Sequence, residues 1–128
     1  MKRSGTFRLA LAGLAVLAVQ NTQAASAVAI DPHGRTTRAY GVMFTEEEAQ
    51  QRALELAENH GWKPARILAS TSQYGYCAIA LCYRVADSRL LLGVSLGNRS
   101  QADADRRAIE SCLKAGGYEP RVYARFKG

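Results

Sequence analysis

Residues 45–64 read TEEEAQQRALELAENHGWKP, and residues 100–120 read SQADADRRAIESCLKAGGYEP. Slid past one another, Thr45, Ala49, Arg52, Ala53, Leu54, Glu55 and Ala57 fall on Ser100, Ala104, Arg107, Ala108, Ile109, Glu110 and Cys112 at a constant offset of 55. Gly61-Trp62-x-Pro64 then falls on Gly117-Tyr118-x-Pro120 at 56. Upstream, Tyr40-Gly41-Val42 matches Leu92-Gly93-Val94 at 52, so Gly97-Asn98-Arg99 read as a three-residue insertion before the second stretch. Self-similarity at a nearly fixed period is the mark of duplicated supersecondary structure.

Each stretch is a helix by its chemistry. Thr45 stands three residues before Glu48, the spacing of a capping box, and Glu46 and Glu47 complement the positive end of the helix dipole. Ala49, Ala53, Leu56 and Ala57 recur on one face at helical spacing, Gly61 supplies a left-handed cap, and Pro64 discourages continuation. Short apolar runs flank this helix: Ala27–Ile30 and Ala39–Phe44 around the turn residues Asp31-Pro32-His33-Gly34, and Ala65–Ser70 after it. The second half repeats the plan, with strands at Cys77–Val85 and Leu90–Leu96 around Asp87-Ser88, a helix capped by Ser100 and running to Ala115, and a closing strand at Arg121–Phe126. The expected fold is α+β: duplicated ββαβ units over residues 28–71 and 77–126, with two helices packed on an antiparallel-rich sheet.

Ahead of this domain, Lys2, Arg3 and Arg8 precede the apolar run Leu9–Val19, and small residues follow it. This is the pattern of a signal peptide over residues 1–24, with cleavage expected at 24/25 or 27/28. The apolar run is shorter than the roughly 20 residues of a spanning helix, so no retained membrane span is expected. The chain of 128 residues carries 17 basic and 11 acidic side chains, a formal charge of +6. Removing the leader leaves 14 basic side chains and a charge of +3. Secretion and this modest charge argue against nucleic acid as a partner. The expected location is the periplasm or the exterior.

Gly75-x-Cys77-Ala78-Ile79-Ala80, a strand containing Gly93, Ala104-x3-Ala108-Ile109-x2-Cys112 and Gly116-Gly117 together resemble the bacterial exported domain of unknown function 4189 family. The resemblance covers nearly all of the mature chain and implies no established chemistry. Pro64 and Pro120 stand where such domains often place a Cys, and Ala57 replaces the first helical Cys, so the family's disulfide pattern does not carry over whole.

Three cysteines in an exported chain allow one disulfide and leave one thiol. Cys77 shares a strand face with Ile79 and Leu81, while Cys82 points to the other face. With the Cys77 face expected to meet the helix that carries Cys112, the pairing read here is Cys77 to Cys112. Cys82 is then free, either half-buried or available for a dimer bond.

Gly93-Val94-Ser95-Leu96-Gly97 fits the G-x-S-x-G pattern of serine hydrolases, which requires a strand-to-helix elbow with an acid and a His following in the chain. Both histidines, His33 and His60, precede Ser95, and about a hundred residues cannot build that scaffold. Ser95 reads as a solvent-side strand residue, and His60 as a favourable group at a helix C-terminus. No cofactor motif is present and the cysteine spacing forms no zinc signature, so neither cofactor nor metal is expected.

Charge is uneven. Residues 28–76 carry 5 basic and 6 acidic side chains, whereas residues 77–128 carry 9 and 5. Arg99, Arg106 and Arg107 cluster at the start of the second helix, and Arg121, Arg125 and Lys127 alternate along the last strand, as a basic face would require. Tyr74 and Tyr76 in the linker have the amphipathic character that interfaces favour. The function expected is a non-enzymatic protein-binding module, an inhibitor or immunity protein against a toxin or lytic enzyme. An envelope-associated structural domain that binds an anionic polymer is the alternative, and a small hydrolase using Ser95 the least favoured.

Overall fold

The computed structural model describes residues 23–128; of the leader read over residues 1–24, residues 1–22 lie outside them. The elements follow in the order β1 (Ala24–Ile30), β2 (Thr36–Val42), α1 (Glu46–Asn59), β3 (Arg66–Thr71), β4 (Tyr76–Arg84), β5 (Leu90–Asn98), α2 (Gln101–Lys114) and β6 (Gly117–Lys127). Each half is thus ββαβ, and the fold is α+β with two helices packed on antiparallel sheets. The strands divide into two three-stranded sheets, ordered β2-β1-β3 and β5-β4-β6. In both, the first strand of the half lies in the centre and the closing strand returns antiparallel to it.

Side-chain size sorts the layers. The face of β1 carrying Ala25, Ala27 and Ala29 packs on Ala49 and Ala53 of α1. Ala78, Ala80 and Cys82 of β4 likewise pack on Ala104, Ala108 and Cys112 of α2. Small residues on both partners let each helix lie close to its sheet. The larger side chains point the other way: Val28, Ile79 and Phe126, with Leu68, Leu92, Val94 and Leu96 beside them and the smaller Cys77 and Ala124 among them, fill the space between the sheets. The layer order is therefore helix, sheet, sheet, helix. The two sheets also meet along β2 and β6, where the Thr36 and Tyr123 hydroxyls lie 2.7 Å apart and Tyr40 packs on Phe126 with ring centres 4.8 Å apart.

The caps follow from local chemistry. Thr45 and Glu48 form the reciprocal capping box, and Ser100 accepts the Asp103 N–H at 3.1 Å. Gly61 takes its left-handed φ of +76° after α1, and Gly116, not Gly117, does so after α2. In the β1–β2 turn the buried Asp31 carboxylate accepts the His33 and Arg35 backbone N–H groups and Arg35 Nε, at 3.0, 2.8 and 2.7 Å. Burial works against its charge, but these donors outweigh it and hold Asp31 below the ordinary carboxylate value.

Two expectations are corrected here. The first concerns where the domain begins. β1 starts at Ala24 rather than near residue 28, and Ala24, Ala25, Ser26 and Ala27 are all buried. These small residues resemble a cleavage site, and the small size of Ala25 and Ala27 serves the close approach of α1. The second concerns the disulfide. It joins Cys82 to Cys112 with Cα atoms 6.1 Å apart, and Cys77 is the buried free thiol. Cys77 and Cys82 do lie on opposite faces of β4, but the small-residue face meets α2, whereas the Cys77–Ile79 face meets the other sheet. Cys82 is therefore unavailable for a dimer bond. A Cβ on Gly117 would fall on Cys82 Sγ, so this position beside the disulfide has room only for hydrogen. A disulfide of this kind belongs to an oxidising compartment. Among the described residues no helix is long and apolar enough to cross a membrane.

Candidate functional site

The aromatic and basic residues that converge do so at one end of the second sheet. Tyr76 opens β4 opposite Lys127 of β6, and Tyr74 precedes it on the loop from β3. The Gly75 and Gly128 backbones exchange two hydrogen bonds, at 2.9 and 3.0 Å, which fix this loop against the end of β6. Gly75 has no room for a side chain, since a Cβ there would lie 2.5 Å from the Asn98 carbonyl oxygen. The loop is thereby seated on backbone.

Lys127 lies between the two tyrosines. Its ammonium is 4.4 Å from the Tyr76 ring centre and 5.5 Å from that of Tyr74, and it donates to the Tyr76 hydroxyl at 3.3 Å. The Tyr76 hydroxyl first, then the charge interaction with both tyrosines, holds Lys127 above the usual lysine value. Tyr74 remains 52% exposed. The patch combines a fixed cation with one open aromatic face, the equipment to take a carboxylate beside an apolar group. Arg125, on the same strand face, is occupied by Asp105 of α2 at 3.0 Å. Gln101 ties the region together by donating to the Cys77 carbonyl and to Asp105, at 3.1 and 2.9 Å.

The other arginines do not join this patch. Arg106 bridges Asp103 and Glu110 along α2, both at 3.1 Å. Arg107 lines a shallow depression with Arg106, Glu110, Ser111 and Lys114 on the outer side of that helix. Arg99 is exposed just before the Ser100 cap. Arg121 falls on the opposite face of β6 from Arg125, because a bulge at Tyr123 breaks the alternation: Ile79 pairs with Ala124, but Ala80 pairs with Val122. Val122 thus packs toward α2 and Ala124 toward the other sheet. The single basic face expected along β6 is split in two. Lys127, which completes the patch, is marked in the sequence only by its place at the end of an alternating strand.

Ser95 is not a solvent-side residue. It is buried within β5, where its hydroxyl accepts the Asn98 amide at 2.7 Å, and Asn98 also donates to the Tyr76 carbonyl at 3.0 Å. A nucleophile elbow needs a turn between strand and helix, and Ser95 lies inside the strand. His60 caps α1 through its backbone and stacks on Trp62 with ring centres 4.6 Å apart. Burial between the sheets raises the Cys77 thiol, which faces Ser26 and the Gly75 carbonyl. Such a thiol has little thiolate character. Among the described residues no cluster of three or more His, Cys, Asp or Glu has metal-binding geometry.

Compared with models of protein families, with curated proteins and with solved structures, the chain matches none of them.

Proposed function

We propose that this protein is an exported, non-enzymatic binding module, an inhibitor or immunity protein, that presents Tyr74, Tyr76 and Lys127 to an acidic surface of a toxin or lytic enzyme in the periplasm or outside the cell. The observation that carries the reading is the pre-ordered cation between two aromatic rings, with Tyr74 half exposed. Ordering already present in the free protein lowers the cost of binding. The test is affinity capture with the mature, oxidised protein, followed by titration of any single recovered enzyme. A stoichiometric complex that inhibits the enzyme, and that Tyr74→Ala and Lys127→Glu each weaken about tenfold or more, is the expected result. A complex indifferent to both substitutions sinks the patch as the interface.

The envelope-binding reading has one observation in its favour: Arg107, Ser111 and Lys114 share the outer face of α2. Retention on cell-wall material that salt abolishes, with no protein partner recovered, would favour it.

Export makes a prediction of its own. Cleavage after Ala27 would remove Ala25, Ser26 and Ala27 from the central strand, whereas cleavage after Ala24 spares all but its first residue. The mature protein is expected to begin at Ala25, as intact mass will show. A chain started at Val28 is expected to fail to fold; a folded protein beginning at Val28 would refute the argument.

A further inference from the structure

At the other end of the sandwich from Tyr74, the turn after β1, the start of β3 and the start of β5 enclose an open cleft of about 790 Å³. Two arginines from different halves of the chain line it, Arg66 and Arg89. Among the described residues neither makes an ion pair within 4 Å. Two carboxylates adjoin the cleft, Asp31 in its lining and Asp87 two residues before Arg89, and both are already engaged. Asp31 is taken by Arg35 and two backbone N–H groups, and Asp87 accepts from Arg84 Nε and one terminal Arg84 nitrogen, at 2.9 and 2.6 Å, and from the Arg89 backbone N–H at 3.2 Å. The Arg84 hydrogen bonds first, then the Arg89 backbone N–H and the charges of both arginines, lower Asp87 to about 2. His33 adds a third nitrogen group to the lining, and Pro32, Pro64 and Leu90 add apolar wall.

We infer that this cleft is a binding site for a small anion that carries a phosphate or carboxylate group on an apolar or ring-shaped body. Its volume falls within the range that ligands of this size occupy. Guanidinium groups fit both acids through paired hydrogen bonds, and two of them without an ion pair bias the cleft positive, since Asp31 is balanced by Arg35 and Asp87, which also feels the Arg89 charge, is balanced by Arg84. The prolines and Leu90 give the uncharged part a surface to cover. The site is separate from the tyrosine patch and does not rest on that patch having a partner.

The test is a titration of the oxidised protein with phenyl phosphate, benzoate and, as the uncharged control, benzyl alcohol, followed by amide and arginine side-chain NMR shifts. Saturable movement of Gly34, Ala65, Arg66, Arg89 and Leu90 with either anion, and none with benzyl alcohol, is the expected result. Movement with both anions identifies the acid group in general, and movement with one alone names the acid. Arg66→Gln with Arg89→Gln is expected to weaken binding about tenfold or more, the loss of at least one charge-assisted contact, while Arg52→Gln, exposed on α1 and paired with Glu55, leaves it unchanged. Both replaced side chains are exposed, and the same spectra report whether each variant is folded; the single variants are read alongside the double. Equal response to benzyl alcohol, shifts centred on Arg106 to Lys114, no saturable shift, or undiminished binding in the double variant would each overturn the assignment.

Discussion

Replacing Cys82 and Cys112 together by alanine is expected to cost about 3 to 4 kcal/mol of stability and to lower the melting temperature by roughly 15 °C or more. The cross-link closes a loop of 30 residues that holds the whole of β5 and most of α2. By the chain-entropy argument, the unfolded chain regains that closure freedom once the bond is gone. The folded state loses packing as well, because both sulfurs lie in the small-residue interface between β4 and α2. Cys77→Ala should behave differently. It removes one sulfur from the layer between the sheets, a small cavity worth about 1 kcal/mol, and leaves the cross-link intact. Thiol counting in denaturant separates the cases: one reactive thiol in the native sequence and none in Cys77→Ala. Two thiols in Cys77→Ala, or a mapped Cys77–Cys112 peptide, would disprove the pairing.

Which cysteine of β4 pairs with Cys112 is decided by side-chain size, which strand alternation does not report. Strand alternation places Cys77 and Cys82 on opposite faces, and they are so placed. Alternation does not say which face a helix covers, because β4 is buried on both sides and both sides are apolar. The missing cue was size. Ala78 and Ala80 match Ala104 and Ala108, as Ala25, Ala27 and Ala29 match Ala49 and Ala53, while Val28, Ile79, Leu92 and Val94 are too large for so close a contact and turn inward between the sheets. The same small residues concealed the start of β1, since an alanine-rich strand edge and a peptidase site look alike. The capping box at Thr45, the Ser100 cap and the ββαβ order of each half rest on local rules and were legible. The basic face along β6 was not, because one bulge residue, Tyr123, reverses the alternation from which it was argued. The cleft holding Arg66 and Arg89 joins parts of the chain that only the packing of one sheet on the other brings together.

Gly93→Ala is expected to be the most damaging single-methyl change in the molecule, about 3 kcal/mol and on the order of 15 °C in melting temperature. A Cβ at Gly93 would fall on the Ala108 carbonyl oxygen and lie 2.8 Å from the Cys112 backbone nitrogen. Both are backbone atoms inside α2, so no rotamer change relieves the contact; the helix must lift from β5. Lifting it pulls Ala104, Ala108 and Cys112 away from β4 and strains the link to Cys82, which ties the helix to the same sheet. Close packing makes such a shift cooperative, since voids opened under the helix are too small to hydrate. Gly61→Ala supplies the comparison. There the cost is conformational, a left-handed φ of +76° with no atom within 4 Å of the added methyl group. Roughly 1 kcal/mol is expected, partly offset by the stiffer unfolded chain. Denaturant unfolding of both variants, oxidised, decides the matter: a Gly93→Ala cost no larger than that of Gly61→Ala would show that α2 does not press on β5 as closely as the backbone contact requires.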